Sequence, residues 1–244
     1  MNIDFSSLAM FVAGIVMAII NILAGGGSII SIPLLIFAGI SPTEANATNR
    51  VAILFQNASA IVSFAKQGIV VLRESSLFLV PSLVGAFLGA NLGVFVSDEL
   101  FKKIFAIVIP VSLGIMFFQR KKSTTVIMNK PLLLFVFFCV GVYGGFVQVG
   151  VGFIIILTLT SFTNFDLIRI NAIKATIVFS YTILAVVVFA VNQKIQWQPA
   201  FFLSSGAIIG GWMGSYISVK VNEVWIKLFI FLLGIVFSIR LIFF

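Results

Sequence analysis

Ten apolar runs follow one another along the chain, at about 7–23, 29–40, 43–65, 75–96, 101–118, 131–148, 151–162, 166–191, 199–219 and 223–243. Most approach the ~20 residues a helix needs to cross a bilayer. Nothing else in the sequence constrains the fold as strongly. Inside lipid, backbone polar groups find no water, so only helices and closed barrels can span it. A barrel would show short strands of alternating polarity, and these runs do not alternate. The expected fold is therefore all-α: a polytopic transmembrane helical bundle, multi-pass in the cell (inner) membrane. Composition agrees, with 61% hydrophobic and only 9% charged residues and a mean hydropathy of +1.24. A soluble domain carries about 25% charged residues. The second and seventh runs are too short to cross easily and predict half-helices, re-entrant segments or tilted short spans.

The second half of the chain copies the first. A shift of 125 positions carries Gly25 to Gly150, Gly27 to Gly152, Asn46-Ala47 to Asn171-Ala172, and Phe64-Ala65 to Phe189-Ala190. It also carries Gly85 and Gly89 to Gly210 and Gly214, with a small local adjustment expected near residue 193. The division this predicts is a first transmembrane repeat at 1–120, a basic cytoplasmic linker at 121–130 and a second repeat at 131–244. Five segments per repeat is an odd number. If each crosses or turns as counted, the second repeat is inverted, an arrangement found in many secondary transporters. The positive-inside rule places both termini outside, because Lys66, Arg73, Arg120, Lys121, Lys122, Lys130, Lys220 and Lys227 then gather inside.

Several function classes are excluded or made remote. The net charge of +8 comes from basic residues scattered among short loops, which argues against nucleic acid. The densest group, "QRKKSTTVIMNK" at 119–130, reads as a cytoplasmic loop, with contact to lipid headgroups as the alternative. No lysine or arginine precedes Arg50, so the first run lacks the basic start of a signal peptide and is expected to stay as a helix. The single Cys139 excludes an internal disulfide. Without histidine, the usual general base and the commonest metal ligand are missing. No enzyme activity and no cofactor are expected. The partners are the bilayer and a small anionic substrate, and a homo-oligomer stays open.

The functional signal lies in "SPTEANATNRVAILFQNASAIVSF" (41–64), which places Arg50 in the third apolar run. An arginine at the centre of a membrane helix costs roughly 2.5–3.5 kcal/mol on insertion scales. Asn46, Asn49, Arg50, Ile53 and Asn57 follow helical spacing along one face. Asn171, Lys174, Val178 and Thr182 trace the matching stripe in the second half. Both stripes carry donors and neither carries a carboxylate, which suits an oxyanion. Snorkelling of the cations, or pairing with Glu44 or Asp166, is the structural alternative. The stretches around Gly25, Gly26 and Gly27 and around Gly150 and Gly152 permit helix breaks. A short helix after such a break presents free N–H groups and a positive dipole end. Gln148 stands just before the second break and adds an amide. Gly85 with Gly89 and Gly210 with Gly214 read as close-packing pairs.

The pattern "AGGGSIISIPLL…GISPTEANATNRVAILF", with its weaker copy "GVGFIIILTL…DLIRINAIKATI", resembles the sulfite exporter TauE/SafE family of membrane permeases. The resemblance covers nearly the whole chain. It implies export or uptake of small sulfur-containing or organic anions such as sulfite or sulfonates. The second copy departs from the first, with Gly-Val-Gly for the triple glycine and no proline matching Pro33. The function expected is a secondary transporter of small anions. Arg50, Lys174, Asn46, Asn49, Asn171, Asn57, Gln148 and the glycine breaks would form the substrate site between the repeats. An anion channel and a non-transporting scaffold subunit are the alternatives.

Overall fold

The structure is a computed structural model that describes residues 5–117 and 129–218. The tenth apolar run, most of the basic linker and Lys220, Lys227 and Trp225 lie outside the described residues. Within them the chain is all helical: α1 (Phe5–Ala24), α2 (Ser28–Phe37), α3 (Pro42–Lys66), α4 (Leu72–Phe95), α5 (Asp98–Phe117), α6 (Lys130–Phe146), α7 (Val151–Phe162), α8 (Leu167–Val191) and α9 (Trp197–Ile217). The bounds follow the nine apolar runs to within a few residues. By length and composition, α1, α4, α8 and α9 suffice to cross a membrane. α2 and α7, at 10 and 12 residues, reach about 15 and 18 Å, roughly half of a 30 Å hydrocarbon core.

Local chemistry sets the boundaries. Ser41 accepts from the Glu44 N–H and Pro42 opens α3, the pairing expected at a helix start. Asp166 accepts from the Arg169 N–H at the start of α8, 2.8 Å away. The two acids therefore sit at helix N-termini, where the dipole favours them. Glu44 additionally accepts from Gln196 at 2.8 Å. The shift of 125 takes Pro42 to Leu167 and Lys66 to Val191, the bounds of α3 and α8, and Leu72 to Trp197, the first residues of α4 and α9. The adjustment expected near residue 193 is therefore not needed: Gln193 simply adopts the left-handed backbone (φ 54°) that Gly68 (φ 79°) adopts in the first half.

The long helices form two groups. In one, α1, α3 and α9 run parallel. Gly206 and Gly210 of α9 lie against Phe11 and Ile15 of α1, the numbers rising together. Ser59 and Ser63 of α3 likewise donate to the Ile208 and Trp212 carbonyls of α9. In the other, α4, α6 and α8 run parallel. Gly85 and Gly89 of α4 rest on Phe138 and Val142 of α6. Glu74 and Gly93 of α4 meet Arg169 and Phe189 of α8. Between the groups, α3 and α8 cross antiparallel. Arg50 near the start of α3 stacks over Phe189 near the end of α8. Phe64 and Ala65 near the end of α3 share the wall of an apolar cavity with Ala172 and Thr176 near the start of α8. Each half of the chain thus lends its fourth helix to the other group.

Small residues make these approaches possible. A Cβ on Gly89 would fall 2.0 Å from the Val142 carbonyl oxygen and one on Gly145 would fall 2.3 Å from that of Ala86. This is the close backbone packing that membrane helices rely on where hydrophobic driving force is absent. Gly89→Val is therefore expected to lower Tm by several degrees, since overpacking costs about 1–3 kcal/mol and each kcal/mol shifts a chain of this size by about 2–4 °C. Gly114→Ala, at a position with nothing within 4 Å of the added carbon, is expected to leave Tm unchanged. Thermal unfolding in detergent measures both.

Candidate functional site

Helices α1 and α6 both end at a break. Gly25 follows α1 with φ 92°, and beyond α6 both Gln148 (φ 67°) and Gly150 (φ 71°) are left-handed. This region is costly for most residues and free for glycine. The two breaks touch. A Cβ on Gly25 would fall 2.5 Å from the Gly152 carbonyl carbon, and one on Gly152 would fall 2.4 Å from the Gly25 Cα. Gly26 lies under the Phe153 ring and Gly27 against the Met17 carbonyl. The glycine stretches thus meet backbone to backbone and leave no cleft at that point.

A helix end leaves its last carbonyls without intrahelical partners, and it carries the negative end of the dipole. Both buried cations answer this need across the two helix groups. Arg50 of α3 is fully buried. Its guanidinium donates to Gly144 O at 2.8 Å, to Phe146 O at 3.0 Å and to Gln148 Oε1 at 3.3 Å. It also stacks over Phe189, 4.9 Å from the ring centre. Lys174 of α8 mirrors it at the end of α1. Its ammonium donates to Asn21 O at 3.0 Å, Ile22 O at 2.8 Å and Asn171 Oδ1 at 2.8 Å. The shift of 125 carries Asn21 to Phe146, so the two cations share one equivalent carbonyl and cap corresponding helix ends in opposite halves. The ion pairs among the described residues are Lys103–Glu99 and Arg169–Glu74, so Arg50 holds its charge with carbonyls and a ring.

The predicted stripe on α3 divides into separate tasks. Asn46 donates to Phe146 O at 2.9 Å, beside Arg50. Asn49 ties down the first turn of α2, accepting from Ser31 at 2.6 Å and donating to Ser28 at 3.1 Å. Asn57 donates back to Ile53 O at 2.7 Å and faces a small cavity. That cavity is lined by Asn21, Gln56, Asn57, Gln148, Val151, Gly152, Lys174 and Val178. It offers about 10 Å³ to the centre of a water molecule, about enough for one. Lys174, Asn57, Gln148 and Gly152 therefore come together. Arg50 reaches the same place only through Gln148, and Asn46 and Asn49 do not line it. The sequence reading passed over Gln56 and Asn21. Gln56 lies seven residues beyond Asn49 and so on the same helix face. Asn21 is a lone polar residue one turn before the first glycine break.

Taken with the apolar helices, the paired broken ends capped from the opposite group describe a multi-pass helical membrane protein with a polar centre. The chain belongs to the sulfite exporter TauE/SafE family, whose pattern matches residues 10–241. It is 28% identical over 99% of its length to "Probable membrane transporter protein ORF9" of Sinorhizobium sp, covering 94% of that protein. It is 26% identical over 96% of its length to "Probable membrane transporter protein YfcA" of Escherichia coli K12, covering 88% of it. A "Probable membrane transporter protein" of Haemophilus influenzae is 25% identical over 100% of this chain and 97% of its own. No solved structure matches the chain.

The capping geometry carries an energetic expectation. A hydrogen bond to a charged group contributes about 1.5–3 kcal/mol, and removing a cap leaves buried carbonyls unpaired. Arg50→Met and Lys174→Met are each expected to lower Tm, by about 4 °C or more. Arg50→Lys should recover part of the loss, because one ammonium reaches fewer of the three acceptors and stacks less well on Phe189. Equal Tm for wild type and both Met variants would show that the carbonyls find other partners.

Proposed function

We propose that the protein is a secondary transporter of small anions, sulfur-containing ones such as sulfite or sulfonates foremost, bound at the polar centre between the two helix groups. The observation that carries this reading is the placement of two nearly fully buried cations at a cavity walled by amides, Lys174 in its wall and Arg50 behind Gln148. Membership of the TauE/SafE family and the names of the relatives support transport as the activity. Lys174 supplies charge at the cavity wall. Arg50 acts on it through Gln148, and Asn57, Asn171 and the backbone near Gly25–Gly27 and Gly150–Gly152 complete the surroundings. Asn46 and Asn49 hold the frame, the one at the end of α6 and the other at the start of α2.

The parallel and antiparallel contacts favour an inverted pair of repeats, about 1–120 and 131–244. α1 and α3 run with α9, and α6 and α8 run with α4, while α3 opposes α8. In such transporters, alternating access comes from rocking of one bundle against another. Here the moving units are α1–α3–α9 and α4–α6–α8, since the repeats exchange their fourth helices. The backbone contact between Gly25 and Gly152 acts as a gate, closed in this state, which favours a carrier over a channel.

The test is uptake and counterflow in proteoliposomes with sulfite, sulfate, thiosulfate, small sulfonates and small carboxylates. Saturable flux of an anion with counterflow is expected in wild type. Arg50→Gln and Lys174→Gln, compared as folded protein of equal amount, should lose at least tenfold of that flux. Wild-type flux in both variants would assign the cations to structure alone and overturn the site.

A further inference from the structure

Gln56 lies in the middle of α3 and is fully buried. Neither its amide nitrogen nor its amide oxygen has a hydrogen-bond partner among the described residues. A buried amide without partners is expensive, and native structures keep one only for a reason. The reason is visible in where it points: Gln56 lines the cavity shared by Lys174, Asn57, Gln148 and Asn21. Helix α9 holds it there, since Gly211 brings its own backbone against the Gln56 backbone, close enough that an added Cβ would fall 2.3 Å from the Gln56 carbonyl oxygen.

The chemistry of the wall specifies what fits. An ammonium has three donors, and those of Lys174 point at Asn21 O, Ile22 O and Asn171 Oδ1. Lys174 thus offers the cavity positive charge more than a hydrogen bond. Gln56 offers both kinds of hydrogen bond, two donors on Nε2 and an acceptor on Oε1. An anion's oxygens satisfy the nitrogen. The oxygen Oε1 needs a donor, and a fully deprotonated, aprotic anion has none to give.

We propose that Gln56 is a specificity-determining residue that selects anions retaining one O–H or N–H donor over aprotic anions of the same charge. The proposal rests on the anion-transport reading above and refines its substrate class. A hydrogen-oxyanion, a hydroxysulfonate or a hydroxycarboxylate meets the requirement. The cavity in this state holds no more than a water, so such an anion enters when the two helix groups separate. A site that demands a hydrogen bond rejects a ligand lacking it, because its own buried polar group is then left unpaired.

The experiment compares pairs matched in charge that differ by a hydroxyl: glycolate against acetate, and isethionate against ethanesulfonate. Each competes for anion flux in proteoliposomes carrying wild type, Gln56→Met or Gln56→Asn. In wild type the hydroxylated member is expected to compete roughly tenfold better, the worth of one buried hydrogen bond. Gln56→Met should erase the preference, and Gln56→Asn, which withdraws the amide by one methylene, should weaken it. Flux without preference in wild type, or a preference that survives in Gln56→Met, overturns the proposal while leaving anion transport standing. No saturable anion flux in wild type removes the transport reading and the proposal together. Thermal unfolding gives a readout free of ligand. Gln56→Met should match or exceed the wild-type Tm, because an unpaired amide is removed. A marked fall would mean that Gln56 holds a structural water, which also overturns the proposal. If Gln56→Met does not fold, Gln56→Asn decides by the same competition.

Discussion

A guanidinium taken out of water must find other polar partners, and in this chain it finds the end of a helix. Arg50 reaches from α3 to the last carbonyls of α6, and Lys174 reaches from α8 to the last carbonyls of α1. Each contact satisfies two needs at once. The cation gains oxygens in place of hydration, and a broken helix end gains donors for its last carbonyls, although Asn21 O also accepts from the Gly25 N–H. Much of the surrounding architecture follows from this exchange. The breaks must sit near each other, α3 and α8 must cross between them, and the glycines must be small enough to let the two ends touch.

The same contacts run between the two helix groups. Arg50 belongs with α1 and α9 but caps α6. Lys174 belongs with α4 and α6 but caps α1. A motion that parts the groups must stretch both caps. In the proposed transport cycle the positive charges hold helix ends when the centre is closed and meet the anion when it opens. No carboxylate among the described residues pairs with Arg50, so no tight ion pair there competes with its carbonyl partners.

The helices were legible because apolar runs of membrane length leave few alternatives. The 125-residue shift was legible in the glycines and asparagines, and helices α3, α8 and α9 keep it. The burial of Arg50 and Lys174 was legible from their neighbours. Their partners were not, since a carbonyl is present at every residue and only the fold selects which ones lie open. The stripe on α3 was read as a single face, yet its members serve α2, α6 and the cavity separately, because three elements crowd around that helix. Gln56 was missed for a related reason. Its spacing of seven from Asn49 places it on the polar face, but spacing alone does not show that it lacks a partner, and it becomes informative only when no described residue is found to bond it.

By this geometry the two cation caps hold the α1–α3–α9 and α4–α6–α8 groups together. The most direct test is a distance measured between spin labels on the two groups by pulsed electron resonance. Phe201 on α9 and Leu92 on α4 are exposed positions for the labels, in a background where Cys139, itself exposed, is serine. A single narrow distance distribution is predicted when both caps are present. The Arg50→Gln, Lys174→Gln double variant should add a second, shifted population. A distribution that stays unchanged on removing both cations would contradict this, because the groups would then be held by packing alone.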